Sequence, residues 1–266
     1  VKNNIFENYF RQRLSGTKLP KKISESIDVF RAYYKKKNDK KYLIKNLKVD
    51  FGDYNQICIF APHAFADCNH GLGHFIFRDY YQQFIKTIQM IKSDNKNLWI
   101  VKQHPGAFSY GEDGIISSYI KKIKKDHIVM CPSEISTKII LEIADKVVTG
   151  RGTIGLEAVC LGKKPIIAGN ALYSNLGITH NPKNLNEYRK LLLSSKRNKS
   201  ITKDQINMAK KLMFWFGKGK MDNEINIVPS TNEIKNSFFK NLVQLQKKQN
   251  FDKKIDKYRN YVNKFI

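Results

Sequence analysis

From Gln56 onward the chain alternates between two periods. Short apolar runs, QICIFAP, NLWIVKQHP, HIVMCP, KVVTG and KPIIAG, read as strands, and the stretches between them place apolar residues every three or four positions. In FRDYYQQFIKTIQMIK, Phe77, Tyr81, Phe84, Ile88 and Ile91 fall at spacings of four and three, which predicts one buried helix face. Further helices are predicted around 115–125, over STKIILEIA, and from Thr153 onward. Strands joined by crossover helices in this way predict an α/β fold with a Rossmann-like parallel sheet of about five strands.

The flanks follow a different pattern. Residues 1–50, with RQRLSGTKLPKKISESIDVFRAYYKKKNDKKYLIKN, are basic and helical without a strong strand, and are expected as a helical flank. Residues 51–182 form the predicted Rossmann-like domain, and 183–266 a helical region. In that region ITKDQINMAKKLMFWFGKG ends at a glycine stop, and Ile234, Phe238, Phe239, Leu242 and Leu245 share one face of a final lysine-rich segment that extends to Ile266. No internal repeat or low-complexity linker is present.

Composition narrows the class. The 266 residues are 41% hydrophobic and 12% aromatic, enough for the core of one large domain or two small ones, which excludes disorder as the default. No run approaches the roughly 18 apolar residues of a spanning helix, and the first thirty residues lack a secretory leader. A soluble, non-secreted, cytoplasmic protein is therefore expected. The chain begins at Val1, which suggests an excerpt of a longer polypeptide or a processed product. Cys58, Cys68, Cys131 and Cys160 are scattered without C-x-x-C spacing, as in a reducing compartment. The net charge of +25 favours polyanionic partners: phosphorylated substrates, an anionic membrane surface or nucleic acid. Part of it reflects a bias towards Lys, Asn and Ile, and lysine far outnumbers the arginine expected of base or phosphate readers. No helix-turn-helix, zinc-finger or RRM signature accompanies the charge, so no specific nucleic-acid partner is expected.

TGRGTIGLEA, after a strand and opening a helix, spaces Gly150, Gly152 and Gly155 as G-x-G-x-x-G. In a dinucleotide-binding fold this motif belongs to the first βα turn, with an acidic residue about twenty positions on. Here it comes late, and Asn170 stands near the place of the acid, which disfavours a nicotinamide cofactor. Small residues at a helix start still let a backbone approach an anion. Glu157, four residues after Thr153, shares its face and could accept the hydroxyls of a ribose. The alternative is that Thr153 caps the helix and Glu157 complements its dipole. His104, before Pro105 at the end of the second strand, is either a phosphate donor in the ligand crevice or a hydrogen-bonded turn histidine, and Lys102 projects to the same side. In HAFADCNHGLGH, His63, Asp67, His70 and His74 lie within twelve residues but lack zinc-site spacing, so no metal is expected. The loop either crosses the mouth of the site, with Asp67 or His63 activating the acceptor or touching the transferred group, or is structural.

Together IFAPHAFAD, WIVKQHP and ADKVVTGRGTIGLEAVCLGKKPII resemble, in order and spacing, the donor-binding half of the GT-B-like bacterial capsule and teichoic-acid transferases. That group includes Kdo- and sialyl-type capsular transferases with an HP motif and CDP-glycerol glycerophosphotransferases. The resemblance covers about residues 56–170; it implies that the Rossmann-like domain, residues 51–182, binds the nucleotide donor, and that residues 1–50 are a helical flank or the remnant of an acceptor domain. It implies a glycosyltransferase using a CMP- or UDP-linked sugar, with CDP-glycerol-type glycerophosphate transfer as the alternative within the group; the net charge leaves a basic nucleic-acid-binding module as an alternative of another class. It further implies that His104 and Pro105 are the HP motif, with the histidine on the donor's phosphate, and that Gly150, Gly152, Thr153 and Glu157 bind the donor. Related enzymes often carry Ser-Ser or Thr-Ser where this chain has Gly152 and Thr153. No cofactor beyond the donor is implied. The acceptor would be a glycan or lipid-linked polymer, with the protein peripheral at the inner face of the cytoplasmic membrane.

Overall fold

The computed structural model describes residues 6–8, 10, 11, 14, 39–67, 73–195 and 201–218. The predicted stripe at Ile234, Phe238, Phe239, Leu242 and Leu245, together with Ile266, Cys68 and His70, lies outside the described residues.

Five strands form one parallel sheet: β1 (Gln56–Ala61), β2 (Asn97–Val101), β3 (Ile128–Met130), β4 (Lys146–Thr149) and β5 (Ile166–Ile167). Their order is β3-β2-β1-β4-β5. The connections are α2 (Tyr80–Ile91), α3 (Ile115–Ile123), α4 (Thr137–Ile143) and α5 (Thr153–Cys160), preceded by α1 (Lys40–Leu47) and followed by α6 (Leu185–Leu193) and α7 (Lys203–Lys218).

The strands read as continuous apolar runs because both faces of the sheet are covered. Successive side chains point to opposite faces. Cys58, Phe60, Trp99, Val101, Val148 and Ile166 join Phe84 and Ile88 of α2, Ile120 of α3 and Leu192 of α6 in one apolar cluster. The intervening Ile59, Leu98, Ile100, Val147 and Ile167 join Leu43 of α1, Ile140 of α4, Val159 of α5 and Met213 of α7 in the other. Phe10 and Leu14 belong to this second cluster, so residues of the basic N-terminal flank pack into the same core as the sheet. The strands themselves are shorter than the apolar runs, with only two residues of KPIIAG in β5. At the other boundary, α7 runs through Gly217 to Lys218, directly before Gly219, the last residue of the stretch expected to end at a glycine, which lies outside the described residues.

The face of α2 differs from the periodicity reading. Tyr81 is exposed, whereas Tyr80, Gln83, Phe84, Thr87, Ile88 and Ile91 are buried. The polar members have a use in the fold: Thr87 Oγ1 and the Tyr188 hydroxyl lie 2.9 Å apart and tie α2 to α6. Phe77 is buried too, but in the lead-in before Asp79 caps the helix through Gln82 N.

This topology determines where a ligand can bind. After β3 the chain returns across β1 to add β4 and β5 on the other side, so connections leave β1 and β4 in opposite directions. In open α/β sheets the crevice lies at the carboxyl ends of such strands. The two ends are tied by Thr149 Oγ1 donating to the Ala61 carbonyl at 2.7 Å.

Candidate functional site

Three of the predicted motifs leave the sheet at these carboxyl ends: His63 follows β1, His104 follows β2 and Gly150 follows β4. Folding brings them together. The His63 ring stacks on Tyr80 at 4.4 Å and on His104 at 5.7 Å between centroids, with interplanar angles of 20° and 18°. The glycines lie close to the ring edge: a Cβ added at Gly150 would meet His63 Cδ2 at 3.2 Å, and one at Gly152 would come within 3.7 Å of His63 Nε2. Asp67 Oδ2 is 3.6 Å from His63 Nδ1, and among the described residues neither buried ring nitrogen of His63 has a hydrogen-bond partner. His63 is thus a largely buried imidazole held by ring stacking and steric confinement.

His104 is fixed differently. Its Nδ1 accepts the Gly106 N–H at 3.1 Å and its carbonyl accepts the Ala107 N–H at 3.1 Å, so it does occupy a hydrogen-bonded turn. An imidazole accepting at Nδ1 carries its proton on Nε2 when neutral. Burial, reinforced by the nearby His63 and opposed by Asp67, pushes the His104 pKa down to about 4. At neutral pH the free site therefore offers an uncharged N–H donor rather than a cation.

The glycine motif also takes on a definite meaning. None of Gly150, Gly152 and Gly155 has a positive φ, so they are present for close approach. A Cβ at Gly150 would lie 2.8 Å from Gln83 Oε1 and 3.2 Å from Tyr80 Cε1, and one at Gly155 would lie 2.7 Å from Ile167 Cδ1 and closer still to the Tyr173 hydroxyl. That hydroxyl donates to the Gly152 carbonyl. Gly152 is the N-cap of α5, and no side chain caps the helix. Thr153 is the first helical residue, which removes the reading in which it is the cap. The positive end of the helix dipole faces the loop of β4, and its N-cap residue, a glycine, brings no side-chain acceptor to it.

A family model described as capsule polysaccharide biosynthesis protein matches residues 6–212. The chain belongs to this family. Among solved structures it is similar to the β-Kdo 2,7 transferase and the β-Kdo 2,4 transferase of Thermosulfurimonas dismutans KpsC, at 16% and 17% identity and a TM-score of 0.38 in each case. Both alignments cover 77% of this chain, but it spans only 57% and 59% of those two structures. No curated protein matches it significantly.

The remaining predicted residues of this capsule-family chain are placed as follows. Lys102 Nζ donates to the Ile135 carbonyl at 3.1 Å, and Pro105 is exposed beside His104. Glu157 is buried in α5, and its charge adds to burial in raising the pKa of Tyr173. His74 is exposed, with its carbonyl accepting the Asn170 N–H at 2.8 Å. Among the described residues no group of three or more His, Cys, Asp or Glu could hold a metal ion.

Sequence reasoning missed three residues here. Arg151, inside the glycine motif, donates from Nη2 to the Gly73 and His74 carbonyls and lies 5.0 Å from the centre of the Phe75 ring, fastening that segment beside β5. Tyr80 supplies the platform for His63. Glu112 binds the loop after β1 and is treated below. The sequence signal for Arg151 was an arginine between two glycines at a strand end; Tyr80 had none, because a one-residue rotation of the helix separates it from Tyr81.

The depressed pKa of His104 has a consequence for stability. An unfolded histidine titrates near 6.5, whereas His104 in the fold titrates near 4. Between these values the unfolded chain binds more protons, so the contribution is complete above pH 6.5 and is lost as the pH falls towards 4. The shift corresponds to at most about 3 kcal/mol. Urea unfolding of wild type and His104→Ala between pH 7 and 4 should show a steeper acid loss in wild type; parallel curves would mean that His104 titrates normally.

Proposed function

We propose that the chain is a glycosyltransferase that takes a sugar from a CMP- or UDP-linked donor and passes it to a glycan or lipid-linked acceptor of a surface polysaccharide. The observation that carries this reading is the convergence of the His63–His104 stack with the glycine-led start of α5 where strand connections diverge. Membership of the capsule polysaccharide family supplies the substrate class.

The chemistry required is stabilisation of a nucleotide phosphate as it departs. The N–H groups at the start of α5 and the Nε2–H of His104 are suited to accept that developing charge. An arriving phosphate would favour protonation of His104 and so oppose the effect of burial. Asp67, next to His63, is the candidate base for the acceptor hydroxyl, and Glu157 the candidate ligand of the donor ribose. Residues 51–182 would constitute the donor-binding half of a GT-B arrangement, with an acceptor half supplied elsewhere.

A thermal-shift series with CMP, CDP, UDP, GDP and NAD tests the reading, because a ligand selective for the native state raises the Tm. One pyrimidine nucleotide should stand out. Stabilisation by NAD alone, or by none of the five, would reject a nucleotide-sugar site. With the effective donor identified, release of a glycosylated acceptor separates this reaction from glycerophosphate transfer. Steep, salt-dependent binding to random DNA without nucleotide preference would instead indicate a nucleic-acid module.

We further propose a cytoplasmic location at the inner membrane face, held by lysines rather than by a span. Among the described residues no helix is long and apolar enough to cross a membrane. Sedimentation with anionic but not neutral vesicles, reversed by high salt, is the expected behaviour; equal binding to neutral vesicles would contradict it.

A further inference from the structure

Glu112 is 7% exposed, and among the described ion pairs no cation meets it. Its partners are two consecutive backbone amides of another loop: Oε2 accepts the Phe65 N–H at 2.9 Å and Oε1 the Ala66 N–H at 2.7 Å. Burying a carboxylate is costly unless its oxygens are satisfied, and hydrogen bonds to an ionised acceptor are the stronger kind. The arrangement therefore imposes a geometry that an apolar side chain could not.

Glu112 is itself held firmly. Its N–H donates to the Ala107 carbonyl at 3.0 Å and its carbonyl accepts the Ile115 N–H at 3.3 Å. Gly111 and Gly114, on either side of the Glu112-Asp113 pair, have φ values of 70° and 80°, and nothing lies within 4 Å of a Cβ built on either. These two glycines serve backbone conformation, turning the chain so that the carboxylate reaches inward.

The two amides it grips lie between His63 and Asp67, and the segment from which it reaches begins at His104. We propose that Glu112 is a positioning residue of the site: by holding the loop of His63 and Asp67 against the loop of His104, it keeps the two imidazoles stacked. It contacts no reacting atom in this role and acts through His63. The titratable groups facing His104 are His63 and Asp67, both on the held loop, so releasing that loop changes the surroundings of His104 directly.

The test has one readout independent of activity and one that rests on the transferase reading. In Glu112→Gln the shape is kept but one oxygen becomes an NH2 that cannot accept. NMR titration of the histidine rings in the full chain should then show the His104 midpoint rising from about 4 by about one pH unit or more, as solvent reaches the ring and His63 moves away. Glu112→Asp keeps two acceptors on a shorter arm and should fall between wild type and Glu112→Gln; it also serves if the amide variant does not fold. Leu47→Ala, which removes a core side chain under α1, should lower the Tm without moving the midpoint, separating positioning from general loosening. With the donor that wild type uses, kcat of Glu112→Gln should fall about a hundredfold with the donor KM little changed. An unmoved His104 midpoint in a folded Glu112 variant overturns the proposal. If wild type turns over no nucleotide-sugar, the transferase reading fails, while the titration still decides the role of Glu112.

Discussion

Replacing His104 with alanine is expected to lower turnover by about a hundred- to a thousandfold, the loss typical when one preorganised donor to developing charge is removed. The geometry argues for a loss in chemistry rather than in folding. His104 lies in the loop beyond β2, its Nδ1 bonds only to the neighbouring Gly106 N–H, and its removal leaves that single amide without an acceptor. Because burial keeps the ring neutral in the free protein, the lost group is the Nε2–H donor, which in the proposed transfer matters most when the leaving phosphate carries its full charge. The deficit should therefore appear mainly in kcat. Asp67→Asn gives a useful contrast: as a base towards the acceptor it should also cost turnover, while calorimetry finds donor affinity kept. Wild-type turnover in His104→Ala would remove the histidine from the mechanism, and loss of donor affinity in Asp67→Asn would reassign that carboxylate to the nucleotide site.

Gly155→Ala is expected to destabilise the fold by about 1–3 kcal/mol, although alanine is the better helix former. The propensity gain is about 1 kcal/mol at most. Against it stands a Cβ that would lie 2.7 Å from Ile167 Cδ1 and in collision with the Tyr173 hydroxyl. Tyr173 is buried, and its hydroxyl is engaged by the Gly152 carbonyl, so the ring cannot withdraw without breaking a buried hydrogen bond. Urea unfolding measures the cost. Tyr173→Phe in the Gly155→Ala background should recover part of it, because the two substitutions share one contact and are not additive. An alanine variant as stable as wild type would show that helix and sheet can separate without penalty here, and the steric reading of the third glycine would fail.

The local order of this chain was legible from the periods of its apolar residues. Residues of a strand buried on both faces are apolar at both parities, so QICIFAP and NLWIVKQHP were recognisable without knowledge of their neighbours. The helices between them followed from spacing, and the placement of His63, His104 and Gly150 at strand ends followed from position alone. Rotation of a helix about its axis was less legible. Tyr80 and Tyr81 are chemically identical, and which one faces inward depends on how α2 meets the sheet and α6, where the Thr87–Tyr188 hydrogen bond admits polar side chains to the packed face. Spacing that counts only apolar residues leaves out Gln83 and Thr87; it places Phe77, Phe84, Ile88 and Ile91 correctly and misplaces Tyr81.

By itself, then, the sequence determined that strands and helices alternate in a parallel α/β arrangement and that chemistry-bearing residues stand at the strand ends, because period and position are local properties of the chain. The tertiary structure alone decided the strand order, and with it that the loops of β1, β2 and β4 meet. It also decided that the glycines of TGRGTIGLEA admit His63, Gln83 and Tyr173, that burial leaves His104 uncharged, and that Glu112 reaches back across 46 and 47 positions to hold the loop of His63. Each of these rests on contacts between residues distant in sequence, whose closeness depends on the packing of whole elements and leaves no periodic trace in the chain.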